Sequence, residues 1–149
     1  MIDEIYSARI LAFAANIERI GRLAAPNATA RAHSRLCGST VTIDLSMEDD
    51  VVIDFAHDVR ACALGQASSA IMARHVVGAR AEELRAVRSA MYAMLKENGP
   101  PPEGRFADLK YLGPVRDYRA RHASTLLTFD AVVEAIEQIE AKRAAAAAE

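Results

Sequence analysis

The sequence predicts an α+β fold: a small antiparallel sheet of about three strands with helices packed on one face. Three observations carry this. Residues Thr40 to Met47 alternate strictly, with Val41, Ile43, Leu45 and Met47 on one face and Thr40, Thr42, Asp44 and Ser46 on the other. Val51, Ile53, Phe55 and Val59 continue the alternation after the polar turn Glu48-Asp49-Asp50, so the pair reads as a hairpin that faces the helices with Val41, Ile43, Leu45, Ile53 and Phe55 and turns Thr42 and Asp44 to water. From Ala61 onward the period changes from two to about 3.6, which places helices after strands.

The elements follow in order. Ile5, Ile10, Phe13, Ile17 and Ile20 stand at helical spacing over Ile2 to Ile20, with Gly21 as the stop. Leu23 to Arg35 is loop-like around Pro26-Asn27, and Ala30 to Leu36 supplies a short third strand. Ala61 to Val77 is a small-residue helix closed by Gly78. Ala81 to Lys96 is amphipathic through Leu84, Val87, Met91 and Leu95, with Glu82 and Glu83 in a first turn that favours them. Asn98-Gly99-Pro100-Pro101-Pro102 breaks the chain, Phe106 to Tyr118 connects, and a last helix starts near His122. At 149 residues and 52% hydrophobic the chain suits one core, so a single domain over residues 1–149 is expected, with a disordered Ala-rich tail at about 142–149.

Composition excludes several classes. The net charge of −2 gives no overall pull toward nucleic acid, and no stretch reaches the ~18 apolar residues of a membrane span. The acidic start Met1-Ile2-Asp3-Glu4 does not read as a secretory leader, so the expected location is the cytoplasm. Fifteen of the 18 basic residues are Arg, spread along the chain apart from the cluster Arg116, Arg119, Arg121 beside His122. That cluster reads as a solvated surface or as a face for an acidic partner.

The chemistry-bearing residues are two cysteines. Cys37 immediately precedes the alternating strand, and Cys62 sits where the second strand gives way to a helix. Antiparallel pairing brings those two ends together, so thiols 25 positions apart meet at one end of the hairpin. Cys62 also falls at a helix N-terminus, where free backbone N–H groups favour a thiolate. Such thiols bind metal or accept sulfur; each also fits as a small core hydrophobe. His57 is expected as a satisfied imidazole on the apolar face of the second strand, and His33 and His75 as solvent-facing residues. His122 opens the last helix.

Cys37-Gly38-Ser39 ahead of an alternating strand resembles the Cys-Gly-Asp of the NifU/IscU/SufU-type iron–sulfur scaffold family. Ala61-Cys62-Ala63-Leu64-Gly65-Gln66-Ala67-Ser68-Ser69-Ala70 is similar to that family's second cysteine and its small-residue helix. Phe106-Ala107-Asp108-Leu109 and Arg119-Ala120-Arg121-His122-Ala123 resemble the stretch leading to its third cysteine, and the connector's length favours the SufU-like branch. The chain departs from the pattern at two points: Ser39 stands for the motif Asp, and no third Cys exists. Aligned without a gap on Arg-x-Arg, His122 takes the third-cysteine position; aligned on the family's His-Cys variant, Ala123 does.

The resemblance implies a NifU N-terminal/SufE-like fold and a scaffold or sulfur carrier rather than an enzyme. It implies Cys37 as sulfur acceptor, and Cys37, Cys62 and His122 as the ligands of iron or a transient iron–sulfur cluster. A cysteine desulfurase supplies the sulfur and iron–sulfur acceptor proteins take the cluster. Two other readings accompany it: a zinc-bound sulfur-transfer partner, and a relative that binds the desulfurase but assembles nothing. Thiolates with an imidazole suit zinc or iron–sulfur iron.

Overall fold

The computed structural model describes residues 5–148. Its elements are α1 (Ala8–Ala15), β1 (Ala28–His33), β2 (Thr40–Glu48), β3 (Val51–Arg60), α2 (Ala63–His75), α3 (Ala81–Lys96), a 3₁₀ segment (Gly104–Asp117) with a further turn at Arg119–Arg121, and α4 (His122–Ala148). The strands form one antiparallel sheet in the order β1-β2-β3. α4 lies along the inner face of β1 and β2 and also packs against α2 and α3. Nine residues of α2 are buried, and a helix enclosed on most sides keeps to small side chains so that neighbours can approach. The predicted fold class and strand-then-helix order hold. No helix among the described residues is long and apolar enough to cross a membrane.

The first helix is shorter than its apolar spacing suggests. Ser7 caps it, its hydroxyl accepting from the Ile10 N–H at 3.3 Å, and the helix ends at Ala15. Residues beyond it serve the sheet instead. Arg19 adopts φ +61°, and Ile20 forms a parallel bridge with His57 at the free edge of β3. The His57 N–H donates to Arg19 O at 3.1 Å, and the Gly21 N–H donates to His57 O at 2.9 Å. Ile20 is therefore exposed rather than part of a helical stripe. Residues Ile2–Glu4 of the expected helix lie outside the described residues.

From that edge the chain crosses the outer face of the sheet to reach β1, and this overturns the expectation that Asp44 faces water. Asp44 has 0% exposure. Its carboxylate accepts from Arg22 Nε at 2.7 Å and Nη2 at 3.1 Å, from the Leu23 N–H at 2.9 Å and from the Thr29 hydroxyl at 2.6 Å. Burial alone would raise its pKa; the donors from Arg22, Thr29 and Leu23 outweigh that and hold it below the usual carboxylate range.

A second correction concerns β3. Ser46 pairs with Asp54 but Met47 pairs with Val52, so Ile53 is an extra residue in a bulge. The bulge reverses which side chains face inward. Val52 is buried, whereas Ile53, expected in the core, is 51% exposed. Val41, Ile43, Leu45 and Phe55 take the core positions predicted for them. His57 is fully buried, edge-on to Phe55, and its Nε2 bonds to Glu18 O at 2.8 Å. Burial lowers its pKa.

The last helix continues past residue 142 to Ala148, where a disordered tail was expected. Lys142 Nζ donates to Asn27 O at 2.8 Å, and the Arg143 guanidinium donates to Asp49 O and to Met47 O, which fasten this end of the helix beside the β2–β3 turn. Glu149 lies outside the described residues.

Two outcomes follow for stability. Replacing Ile43 with Ala should cost about 2–5 kcal/mol in a urea melt, because it empties a fully buried site, while Ile53→Ala should cost well under about 1 kcal/mol. Asp44→Ala should cost about 1–3 kcal/mol: Arg22 can return to water, but the Leu23 N–H and the Thr29 hydroxyl lose their acceptor. The Asp44 carboxyl has a lower pKa folded than unfolded, so its contribution is fully present above the unfolded value near ~3.9 and disappears as pH falls through the folded one. The gap in stability between wild type and Asp44→Ala should therefore be constant from neutral pH to about 5 and shrink below about 4. A gap unchanged down to pH 2 would refute this.

Candidate metal and sulfur site

The β1–β2 loop carries Cys37 in Ser34-Arg35-Leu36-Cys37-Gly38-Ser39. The Ser34 N–H donates to Ser39 O and the Gly38 N–H to Ser34 O, each at 2.8 Å, so the loop closes on itself. Gly38 sits at φ +73°, a left-handed conformation that strains any residue with a Cβ, and this turns the chain directly after the cysteine. Cys37 is exposed, and Leu36 beside it is 75% exposed. The Cys37 thiol lies 3.0 Å from the buried Ser39 hydroxyl and 3.5 Å from that of Ser34. Burial works to raise the thiol's pKa, but hydrogen bonding with Ser34 and Ser39, with a contribution from Ser124, brings it below the usual cysteine value.

Cys62 is the N-cap of α2, as its position at the strand-to-helix change predicts. Its side chain makes no capping hydrogen bond. It lies instead 3.4 Å from the hydroxyl of Ser124, in the first turn of α4. The two cysteines are both free, and the register that pairs Thr40 with Arg60 sets the strand ends they flank side by side. The Ser124 hydroxyl also donates to Arg121 O at 3.2 Å.

Gly65 makes this possible. A Cβ there would stand 2.7 Å from the Ala61 Cβ and 3.0 Å from Ser124 O, so only a residue without one lets α2 approach the start of α4 this closely. Sequence reasoning singled out neither Gly65 nor Ser124. The available signals were a glycine one turn into a helix that follows a cysteine, and a serine two residues beyond the candidate His122.

His122 is not brought to the thiols. Among the described residues no group of three His, Cys, Asp or Glu is placed to hold a metal ion. The His122 ring is 5% exposed, and its Nε2 lies 3.0 Å from Val115 O and 3.1 Å from Arg116 O. The reason is helical geometry. Successive residues turn by about 100°, so when Ser124 faces the thiols, His122 faces nearly the opposite way. Ala123 lies between them and is exposed. The expected set of Cys37, Cys62 and His122 is therefore not grouped in this structure, and His122 fastens the 3₁₀ segment to α4.

A model of the NifU-like N-terminal domain family matches residues 5–146. The chain belongs to this family. Its curated relatives include the iron–sulfur cluster assembly scaffold protein IscU of Thermotoga maritima, 27% identical over 136 residues that make up 91% of this chain and 94% of that protein. Among solved structures, the N-terminal part of a nitrogen-fixing NifU-like protein from Brucella abortus is 72% identical, with a TM-score of 0.94 over 95% of this chain and 98% of the other. A SufU-system scaffold structure from Fervidobacterium islandicum, at 20% identity, shares the fold with a TM-score of 0.82 over 89% of this chain and 97% of the other. The NifU-like domain thus has the fold class that the resemblance implies.

Gly65→Ala tests how the site is built. The added methyl clashes first with the Ala61 Cβ and also crowds the Ser124 carbonyl, so overpacking should cost about 1–3 kcal/mol. It should also separate the Ser124 hydroxyl from Cys62, seen as a changed iodoacetamide rate at that cysteine in a Cys37→Ala background. In wild type, the pH–rate profile for alkylation of Cys37 should have its midpoint below that of a free thiol, near ~8.5. Ser39→Ala should move that midpoint upward. A midpoint at or above the free value would show that the hydroxyls do not outweigh burial.

Proposed function

We propose that this NifU-like domain is an assembly scaffold whose cargo is iron and sulfide, held by Cys37 and Cys62 and then passed to acceptor proteins. The observation that carries the reading is two free thiols that flank the paired strand ends Thr40 and Arg60, with Cys62 against Ser124, in a chain of this family. Cys37 is the sulfur acceptor. Its loop projects beside exposed Leu36, and its hydrogen bonding with Ser34 and Ser39 lowers its pKa, which favours the thiolate, the nucleophilic form. It attacks the outer sulfur of a cysteine desulfurase persulfide; the new S–S bond forms as the old one breaks and the desulfurase thiolate leaves, and release of that sulfur as sulfide takes two electrons from an external thiol or reduced electron carrier. This work belongs to the reducing cytoplasm, where both thiols stay free.

Two protein thiolates leave positions for sulfide, water or a partner's group, which suits a cargo that must be released. A resident zinc is less well served, since structural zinc takes four protein ligands and catalytic zinc three. A third protein ligand requires either that His122 leave the carbonyls of Val115 and Arg116, or that position 123 supply it.

Anaerobic reconstitution with iron, sulfide and a cysteine desulfurase, followed by metal and sulfide analysis and visible spectra, tests the proposal. Wild type should bind iron and sulfide with visible colour; Cys37→Ser and Cys62→Ser should each lose more than about 90% of it. His122→Ala should keep most of its cargo and lose stability, while Ala123→Cys should retain the cargo more firmly. Loss of metal in His122→Ala with the fold intact would restore His122 as a ligand. Zinc without colour would favour the sulfur-transfer reading, and no metal with retained desulfurase binding would favour a partner-binding relative.

A further inference from the structure

Behind the first turn of α4, on the face away from Ser124, lies a cavity of about 230 Å³ lined by Leu95, Lys96, Arg116, Arg119 and His122. Three separate elements bring a cation to it: Lys96 ends α3, Arg116 stands near the end of the 3₁₀ segment, and Arg119 precedes α4. No carboxylate lines it; Glu97 and Asp117, neighbours in sequence, are not part of the wall. Elsewhere the chain pairs its arginines with acids, as in Arg22–Asp44, Arg80–Asp50, Arg85–Glu140 and Arg88–Asp130. Among the described residues neither Lys96 nor Arg119 has such a partner.

The cavity is also built to hold a shape. Arg116 Nε donates to Gly113 O at 2.9 Å and its Nη1 donates to Asn98 Oδ1, so the guanidinium is fixed in orientation. A Cβ at Gly113 would stand 3.2 Å from Arg116 Nη2, so the glycine leaves room for that nitrogen. Three like charges around one small space repel one another, and in a chain of net charge −2 that concentration is local. A planar guanidinium held by neutral acceptors, with two unpaired cations facing the same space, matches a compact anion with several oxygens.

We propose that this cavity binds a multiply charged oxyanion, a phosphate or a carboxylate, at Lys96, Arg116 and Arg119. The site is separate from the thiols and does not rest on their assigned role. It connects to them through one turn of backbone. His122 bonds to Arg116 O and Val115 O on the cavity side, and Ser124, two residues on, reaches Cys62 on the other. An anion bracing Arg116 and Arg119 therefore steadies the turn that positions Ser124.

The test uses the full chain without metal, titrated with pyrophosphate, inorganic phosphate and citrate at constant ionic strength against a sodium chloride control. Arginine side-chain and backbone amide NMR resonances are followed. One-site saturation confined to residues around 95–98 and 113–122 is expected with at least one of the three anions. Pyrophosphate against citrate separates a phosphate source from a carboxylate source. Arg119→Gln and Lys96→Gln, both at exposed positions where the fold tolerates change, should each weaken binding by about tenfold or more. Arg31→Gln, on the outer face of the sheet, should not. Shifts that fail to saturate, that chloride reproduces, or that survive in Arg119→Gln and Lys96→Gln would overturn the proposal.

Discussion

Asp44 is buried on the outer face of the middle strand, and its carboxylate accepts four hydrogen bonds from three residues that lie 15 to 22 positions away. Those residues belong to the strap between α1 and β1 and to β1 itself. The strap must pass from the free edge of β3, where residues 19–21 pair with His57, across the sheet to the far edge, where β1 begins. With Asp44 in place the crossing has a fixed midpoint, and Thr29 sets β1 against β2 at the same carboxylate. The loop bearing Cys37 leaves the end of β1. The position of a sulfur at one end of the sheet thus depends on a charge buried near its centre. Such a charge is tolerated because every donor around it is aimed at it, so burial and hydrogen bonding act in opposite directions and the hydrogen bonds prevail.

That clasp also explains where the sequence could be read and where it could not. The alternation of Thr40 to Met47 identifies β2 and its inner face correctly, since Val41, Ile43 and Leu45 answer to the core alone. The outer face reads as polar, and a polar residue that meets water looks the same in sequence as one that meets a strap. Asp44 belongs to the second kind, and nothing local distinguishes it from Thr42. Ile53 fails for a different reason. Period-two reasoning assumes an uninterrupted ladder, and a single extra residue reverses the facing of every side chain on one side of it. The long first helix fails because Ile17 and Ile20 keep helical spacing while the backbone at Arg19 and Gly21 turns to pair with β3.

At the site, the placement of both cysteines beside neighbouring strand ends was legible and the surroundings of His122 were not. Cys37 and Cys62 flank adjacent ends because antiparallel register fixes which ends are neighbours; that inference uses only topology. The third position depends on the rotation of α4 about its own axis, which no spacing in the sequence sets. One face of its first turn has to carry the contact with α2. Gly65 removes the Cβ that would hold the helices apart, so the Ser124 backbone settles there, and the hydroxyl of Ser124 falls to the Cys62 sulfur while the imidazole of His122 is turned to the carbonyls behind.

The outcome is a sulfur site surrounded by neutral hydroxyls, with cations close in sequence but placed elsewhere. Arg119 and Arg121 precede the turn that carries Ser124, yet the groups bonded to the Cys37 sulfur are Ser34 and Ser39. A fixed cation beside a thiolate would stabilise it strongly and blunt its nucleophilicity, since thiol reactivity falls along with its pKa. Hydroxyl donors act more gently, and they can rotate to donate to a thiolate or accept from a thiol. Under the proposed function, the same sulfur would serve as a nucleophile toward a persulfide, a ligand to iron, and a leaving position when the cargo departs, without a buried charge being stranded at any stage. A serine in the motif's acid position serves that purpose: it adds a hydrogen bond to Cys37 without adding a charge that would repel its thiolate.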